Sequence, residues 1–91
     1  MLEQNYPNPF NPQTDIEYRV SGIGWVRISV FDLLGREVAA LVNERKLPGD
    51  YRTTWDARAF SSGLYFYTMN VDAEGGSGAR RFEIRKLVLS K

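Results

Sequence analysis

Six short segments of this sequence are rich in apolar residues, which in several of them alternate with polar ones, and turn-forming residues separate the segments. In the first of them, Ile16, Tyr18 and Val20 share one face and charged residues occupy the other. Successive side chains of a β-strand point to opposite sides, so the alternation predicts strands with one buried face. The segments are TDIEYRV (14–20), WVRISVFD (25–32), REVAALV (36–42), DYRTTWD (50–56), GLYFYTMNV (63–71) and RRFEIRKLVLS (80–90).

These segments predict an all-β fold, an immunoglobulin-like antiparallel β-sandwich of about seven strands. Residues 36–42 also suit a helix by composition, but so short a segment makes a marginal one. Residues 63–71 are apolar on both faces, which is typical of a central strand. Asp32 and Gly35 suit a tight turn that joins the second and third strands as a hairpin.

The stretch SSGLYFY carries a more specific signal for this fold. Gly63, Tyr65 and Tyr67 have the spacing of the glycine, the corner tyrosine and the cysteine on the sixth strand of immunoglobulin domains, with Tyr67 in the place of the cysteine. We therefore expect the Tyr65 hydroxyl to bind backbone at a corner of the sheet.

A proline- and asparagine-rich segment, NYPNPFNP (5–12), precedes the first predicted strand. Prolines remove backbone donors and disfavour helix, so this segment should be extended and cannot be a central strand. We expect polyproline II geometry, with Tyr6 and Phe10 in the open end of the sandwich and asparagine amides bound to unpaired backbone groups. The chain is thus one domain, 1–91, divided into a leader (1–12) and a sandwich (13–91). The residues that define the leader are Tyr6, Pro7, Asn8, Pro9, Phe10, Asn11 and Pro12.

The last predicted strand changes phase along its length. Phe82 and Ile84 fall on one parity, whereas Leu87 and Leu89 fall on the other. A bulge near residues 85–86 would place both apolar pairs on one face and leave the final residues as an edge strand.

Composition removes several classes of function. The 91 residues include no cysteine and no histidine, which excludes cysteine nucleophiles, histidine bases and the usual zinc ligands. The net charge of +1 predicts no general affinity for nucleic acid, and no apolar run approaches the roughly 20 residues of a membrane span. We expect a monomer with no cofactor, no nucleic-acid partner and no membrane insertion.

Few residues suggest binding chemistry. The acidic residues at 15 and 17 and at 72 and 74 are better explained as solvated carboxylates than as a glycosidase pair, although the second pair also suits weak calcium binding. Tyr51 and Trp55 share a strand face and form the best candidate for a sugar-stacking platform. Core packing is the favoured explanation for them.

The tail is cationic. Residues 80–91 hold five of the twelve basic residues and one of the eleven acidic residues. A charged edge strand that resists sheet-to-sheet aggregation explains this pattern. The functional alternative is a strand that a receptor reads by β-augmentation, with Lys86 and Lys91 steering it toward an acidic surface.

Five motifs, taken together and in order, resemble the type A C-terminal sorting domain of the type IX secretion system, found on secreted proteins of Bacteroidetes. The resemblance runs from Leu2 to Lys91. Its motifs are LEQNYPNPFNPQTDIEYRV, VFDLLGREVAALV, PGDYRTTWDA, SSGLYFYTM and RKLVLSK. The immunoglobulin-like domain of the flagellar hook-capping protein resembles only the middle motifs and ranks second.

The resemblance implies a non-enzymatic label. In that family an N-terminal passenger folds in the periplasm and is carried through the outer membrane by the type IX translocon, which recognises the domain. A sortase-like surface peptidase then commonly removes the label, so the passenger ends on the cell surface or outside the cell. The resemblance places translocon recognition on Lys86, Leu87, Val88, Leu89 and Lys91.

The chain departs from the family pattern at two places. Ser90 replaces the usual apolar residue before the final lysine, and EGGSGARR (74–81) is an unusually polar insertion. Met1 directly before the first motif suggests a domain cut from a longer chain. The alternative functions are a carbohydrate-binding module attached to a glycoside hydrolase and a structural domain of the hook-cap kind.

Overall fold

The computed structural model describes residues 1–9, 12–75 and 80–90. These residues form the strands β1 (Gln13–Val20), β2 (Gly24–Phe31), β3 (Glu37–Lys46), β4 (Gly49–Asp56), β5 (Gly63–Ala73) and β6 (Arg80–Leu89). Each predicted strand is present, so the all-β prediction is confirmed. Within the described part of the chain, no helix has the length and apolarity that crossing a membrane requires.

The strands form two antiparallel sheets. One contains β1 and β4, and the other has the order β3-β2-β5-β6, which confirms β5 as a central strand and β6 as an edge strand. The leader runs antiparallel beside β1 in the smaller sheet, through isolated β-bridges from Leu2 to Tyr18 and from Tyr6 to Asp15. With the leader counted, the architecture is the predicted immunoglobulin-like sandwich.

The core lies between the sheets and consists of the inward-facing residues of the alternating segments. Burying one large apolar side chain fully stabilises a fold by about 1.5–3 kcal/mol, so this layer is the main source of stability. Its members are Leu2, Ile16, Tyr18, Val20, Val26, Ile28, Val30, Val42, Trp55, Ala57, Tyr65, Tyr67, Met69, Leu87 and Leu89.

The predicted hairpin between β2 and β3 is present. Gly35 has a φ of +82°, a conformation that glycine adopts without a Cβ clash. The Asp32 carboxylate accepts hydrogen bonds from the backbone N–H groups of Arg36 (3.0 Å) and Leu34 (2.9 Å). These bonds, that of Arg36 foremost, hold the pKa of Asp32 below its usual value.

The corner tyrosine is also confirmed. The Tyr65 hydroxyl donates to the carbonyl oxygen of Ser61 at 2.7 Å, four residues upstream, and the side chain is buried. Tyr67, two residues further on, is fully buried in the position that the sequence comparison assigned to a cysteine. The residue spacing known from the sixth strand of immunoglobulin domains therefore located both tyrosines correctly on β5 of this chain.

The leader differs from the expected polyproline II helix. Residues 7–9 form bends, and the Tyr6–Pro7 and Asn8–Pro9 peptide bonds are cis. Tyr6 is 80% exposed, so its predicted place in the open end of the sandwich is wrong; its backbone pairs with Asp15 and its ring lies in solvent. Among the described leader residues, Leu2, at 1% exposure, is the one whose side chain joins the hydrophobic core. Phe10 and Asn11 lie outside the described residues.

The bulge predicted near residues 85–86 is also wrong. β5 and β6 pair without a register shift, from Gly63 with Leu89 to Asp72 with Arg80. β6 is a regular strand, so its two apolar pairs of opposite parity lie on opposite faces of the sheet. Leu87 and Leu89 point into the core, whereas Phe82 and Ile84 lie on the outer face, 62% and 51% exposed. Register shifts occur instead between β2 and β3.

Candidate recognition site at the last strand and the leader

The predicted recognition residues divide between two environments. Leu87 and Leu89 are buried in the core, so a partner cannot touch their side chains while the sandwich is intact. Lys86 is exposed and Val88 is half-buried on the outer parity of β6. Lys91 lies outside the described residues. Of the five predicted residues, Lys86 and Val88 are therefore those with accessible side chains in the described part of β6.

The leader reaches that backbone with two side-chain amides. Gln4 Nε2 donates to the carbonyl oxygen of Lys86 at 2.8 Å. The Val88 N–H donates to Asn8 Oδ1 at 3.0 Å. Asn8 thus binds an unpaired backbone group as expected, but the edge that it binds belongs to a regular strand, and the second amide is that of a glutamine. The leader thus contacts both β1, in the smaller sheet, and β6, in the larger one.

A buried polar network holds the middle of the leader. Asn5 Nδ2 donates to Thr14 Oγ1 at 2.8 Å and to the Pro7 carbonyl at 2.9 Å. Gln4 Nε2 also donates to Asn5 Oδ1 at 2.6 Å. Since buried polar groups are costly when unpaired, this network defines one position for the leader against β1.

Two contacts near the start of the leader were not predicted from the sequence. The Tyr67 hydroxyl donates to the Glu3 carbonyl, and burial raises the pKa of Tyr67 to about 12. The Leu2 N–H donates to a carboxylate oxygen of Glu83 at 3.3 Å, across to β6. The only sequence signal was the apolar Leu2 itself, which stands ahead of the proline-rich motif.

The leader and the last strand are therefore one structural unit, in which the beginning of the chain lies along its final strand. A model of the secretion system C-terminal sorting domain matches residues 4–84.

The chain belongs to this family of sorting domains. Family membership shows that the domain belongs to the type IX secretion pathway, which exports proteins through the outer membrane. The match includes most of the leader and all of β1–β5, together with the first half of β6.

A solved structure shares the fold of this sorting domain. The crystal structure of CopC from Methylosinus trichosporium OB3b aligns with a TM-score of 0.53 and 18% identity, covering 98% of this chain and 91% of that one. At this identity the likeness concerns the fold alone. A comparison with curated proteins found no significant match.

Tyr51 and Trp55, considered as an alternative sugar platform, do not form an exposed aromatic surface. The Trp55 side chain is only 3% exposed, and its ring packs 5.3 Å from that of Tyr65 and 5.4 Å from that of Phe60. Tyr51 is half-buried and stacks on Tyr18 with ring centroids 5.4 Å apart. The two side chains are core and sheet-packing residues, as the favoured explanation held.

The acidic residues considered for catalysis or calcium have basic or hydroxyl partners. Glu17 pairs with Arg52, and the Asp15 carboxylate accepts from Thr54 Oγ1. Asp72 pairs with Arg80 and Glu74 with Arg45. In the described ranges, no three carboxylates come together in a group that could hold a metal ion.

Proposed function

We propose that this domain is a non-catalytic label that directs an N-terminal passenger through the type IX secretion system to the cell surface. The observation that carries the proposal is the family match over residues 4–84. The agreement of the hairpin and the corner tyrosine with the expected sandwich supports it.

The translocon is the partner that reads the label, and its contact is the outward side of the last strand. Lys86 and Val88 present side chains there. Leu87 and Leu89 contribute indirectly, because their burial holds β6 against β5. An acidic receptor surface fits the excess of basic residues in the tail.

The leader marks the boundary between passenger and label. A passenger joined ahead of residue 1 continues directly into the leader, which is held against β1 and β6. A surface sortase-like peptidase would cut at or before this boundary, while the sandwich stays folded. The domain passes through the periplasm in transit and acts as a monomer.

A secretion assay tests the proposal. The whole domain, fused behind a reporter that folds in the periplasm, should bring the reporter to the surface of a host with a type IX system. Lys86→Glu should leave most of the reporter in the periplasm. Arg52→Glu, which reverses an exposed charge on the other sheet, is the matched control and should not.

Protease accessibility of the reporter on intact cells measures the outcome. A wild-type fusion that stays in the periplasm would contradict the sorting function. Equal display of the Lys86→Glu and Arg52→Glu fusions would leave sorting intact and reject the site on β6.

A further inference from the structure

The edge of β6 is covered by side chains where a neighbouring strand would otherwise pair. In an antiparallel ladder the N–H and C=O of one residue point to the same side, and alternate residues point to opposite sides. The bonds to the leader show that Lys86 and Val88 are the outward-facing residues. Ile84 shares their parity and so has its backbone groups on the same edge.

The leader supplies the groups that a strand would supply. A neighbouring strand would offer one N–H to the Lys86 carbonyl and one C=O to the Val88 N–H. The amide of Gln4 provides the donor and the amide of Asn8 provides the acceptor. Two side-chain amides thus substitute for the peptide groups of an incoming strand.

The backbone of the leader and its amide side chains are held with different strength. Leu2 is buried, and Glu3 and Tyr6 form backbone hydrogen bonds with β1. Gln4 and Asn8 are exposed, and each meets the backbone of β6 through its side-chain amide. These two side chains can therefore leave the edge while the leader backbone stays paired with β1.

We propose that the leader is a displaceable cover of the β6 edge: a partner protein docks by pairing an extended strand with residues 84–88, and it must displace Asn8 and Gln4 to do so. Docking and release of these two side chains are then one event. This inference rests on the proposed sorting function for the identity of the partner. It adds that the label is closed at rest and that the partner opens it.

Hydrogen exchange of the Val88 amide tests the cover without any partner. Asn8→Ala should speed that exchange about fivefold, as expected for loss of one hydrogen bond of ordinary net strength. Asn8→Asp keeps an oxygen acceptor and should leave the rate near that of the wild type. The Leu87 amide, which by parity faces β5, is the internal reference and should not change.

Export kinetics test whether the partner uses the edge. In the reporter fusion, Asn8→Ala should reach the surface several-fold faster than the wild type at limiting translocon, and Asn8→Asp should behave as the wild type. Unchanged export together with faster Val88 exchange would overturn the proposal, because the partner would then not use the covered edge. Loss of export in Asn8→Ala would also overturn it, since the leader would be part of the address.

The two proposals fail in different ways. If the wild-type fusion is never displayed, the sorting function fails, whatever the exchange data show. If the wild type is displayed but Val88 exchange is the same in Asn8→Ala and Asn8→Asp, the sorting function stands and the cover is rejected.

Discussion

Two tyrosine hydroxyls illustrate how single residues stabilise this domain. Tyr65 and Tyr67 occupy successive inward positions of β5, and each hydroxyl donates to a backbone carbonyl: one of Ser61, close in sequence, and one of Glu3, in the leader. The first bond fixes the corner where β5 begins. The second ties the first residues of the chain to the middle of the larger sheet.

Tyr65→Phe should lower the free energy of unfolding by about 1–2 kcal/mol, because the Ser61 carbonyl loses its buried partner. Tyr51→Phe is a matched control: its hydroxyl also binds a carbonyl four residues upstream, that of Leu47, but in an exposed setting. Urea denaturation of both variants gives the comparison. Equal losses would contradict a special role for the Tyr65 corner.

The raised pKa of Tyr67 predicts that the folded domain becomes less stable at alkaline pH. Burial raises its pKa to about 12 in the folded state, above the ordinary value of 10.0. The unfolded chain therefore loses this proton before the folded protein does. The contribution of Tyr67 to stability is complete below pH 10 and falls as the pH rises from 10 to 12. Between pH 9 and pH 11.5, the free energy of unfolding should fall less for Tyr67→Phe than for the wild type, as measured by chemical denaturation at the two pH values.

At the scale of elements, the leader behaves as an additional strand, and among its described residues Leu2 makes the main apolar contact. The proline-rich motif drew attention to Tyr6, yet Tyr6 is 80% exposed and Leu2 only 1%. An apolar residue outside the conspicuous motif therefore anchors the element.

Leu2→Ala should reduce the free energy of unfolding by about 2–5 kcal/mol, as for other buried leucines. Tyr6→Ala should change it by less than about 0.5 kcal/mol, because its ring makes no buried contact. Thermal unfolding of the two variants measures the difference. A large effect of Tyr6→Ala with a small effect of Leu2→Ala would mean that the leader is seated differently in solution.

The regular pairing of β6 makes a similar contrast testable. Leu87→Ala removes a fully buried side chain and should cost about 2–5 kcal/mol. Ile84→Ala removes a side chain on the outer face that is 51% exposed, so its cost should be under about 1 kcal/mol. Chemical denaturation of both variants decides between the regular strand and the bulge, since a bulge would bury Ile84 as well.

At the scale of the whole molecule, the two sheets and the leader share one core, so the domain should unfold in a single cooperative step. Trp55 lies in that core and Trp25 on the outer face. In a Trp25→Phe variant, the fluorescence of Trp55 and the far-ultraviolet circular dichroism should give superimposable urea transitions. Separate midpoints would show that the β1–β4 sheet unfolds independently.

Strands and turns were predictable because their causes are local. Alternation in residues 14–20 and the Asp32 and Gly35 turn depend on neighbours in sequence, and Tyr65 follows a known spacing. The sandwich itself was predictable because strands with one apolar face bury it by packing against the apolar face of a second sheet. The leader contacts were not predictable from the sequence. Asn8 and Val88 are 80 positions apart, and no residue pattern in either segment indicates that their side chain and backbone form a hydrogen bond. The phase change in β6 was visible, but parity alone does not distinguish a bulge from an exposed face.

The contact between leader and last strand also has a consequence for the order of synthesis. Within this domain, residues 1–9 leave the ribosome before all six strands. β6, which supplies Leu87 and Leu89 to the core and the edge to the leader, is the last of the six strands to leave. A chain that stops before β6 lacks both, so its leader has no edge to cover and its core stays open. The domain can therefore complete its fold only after β6 has been synthesised.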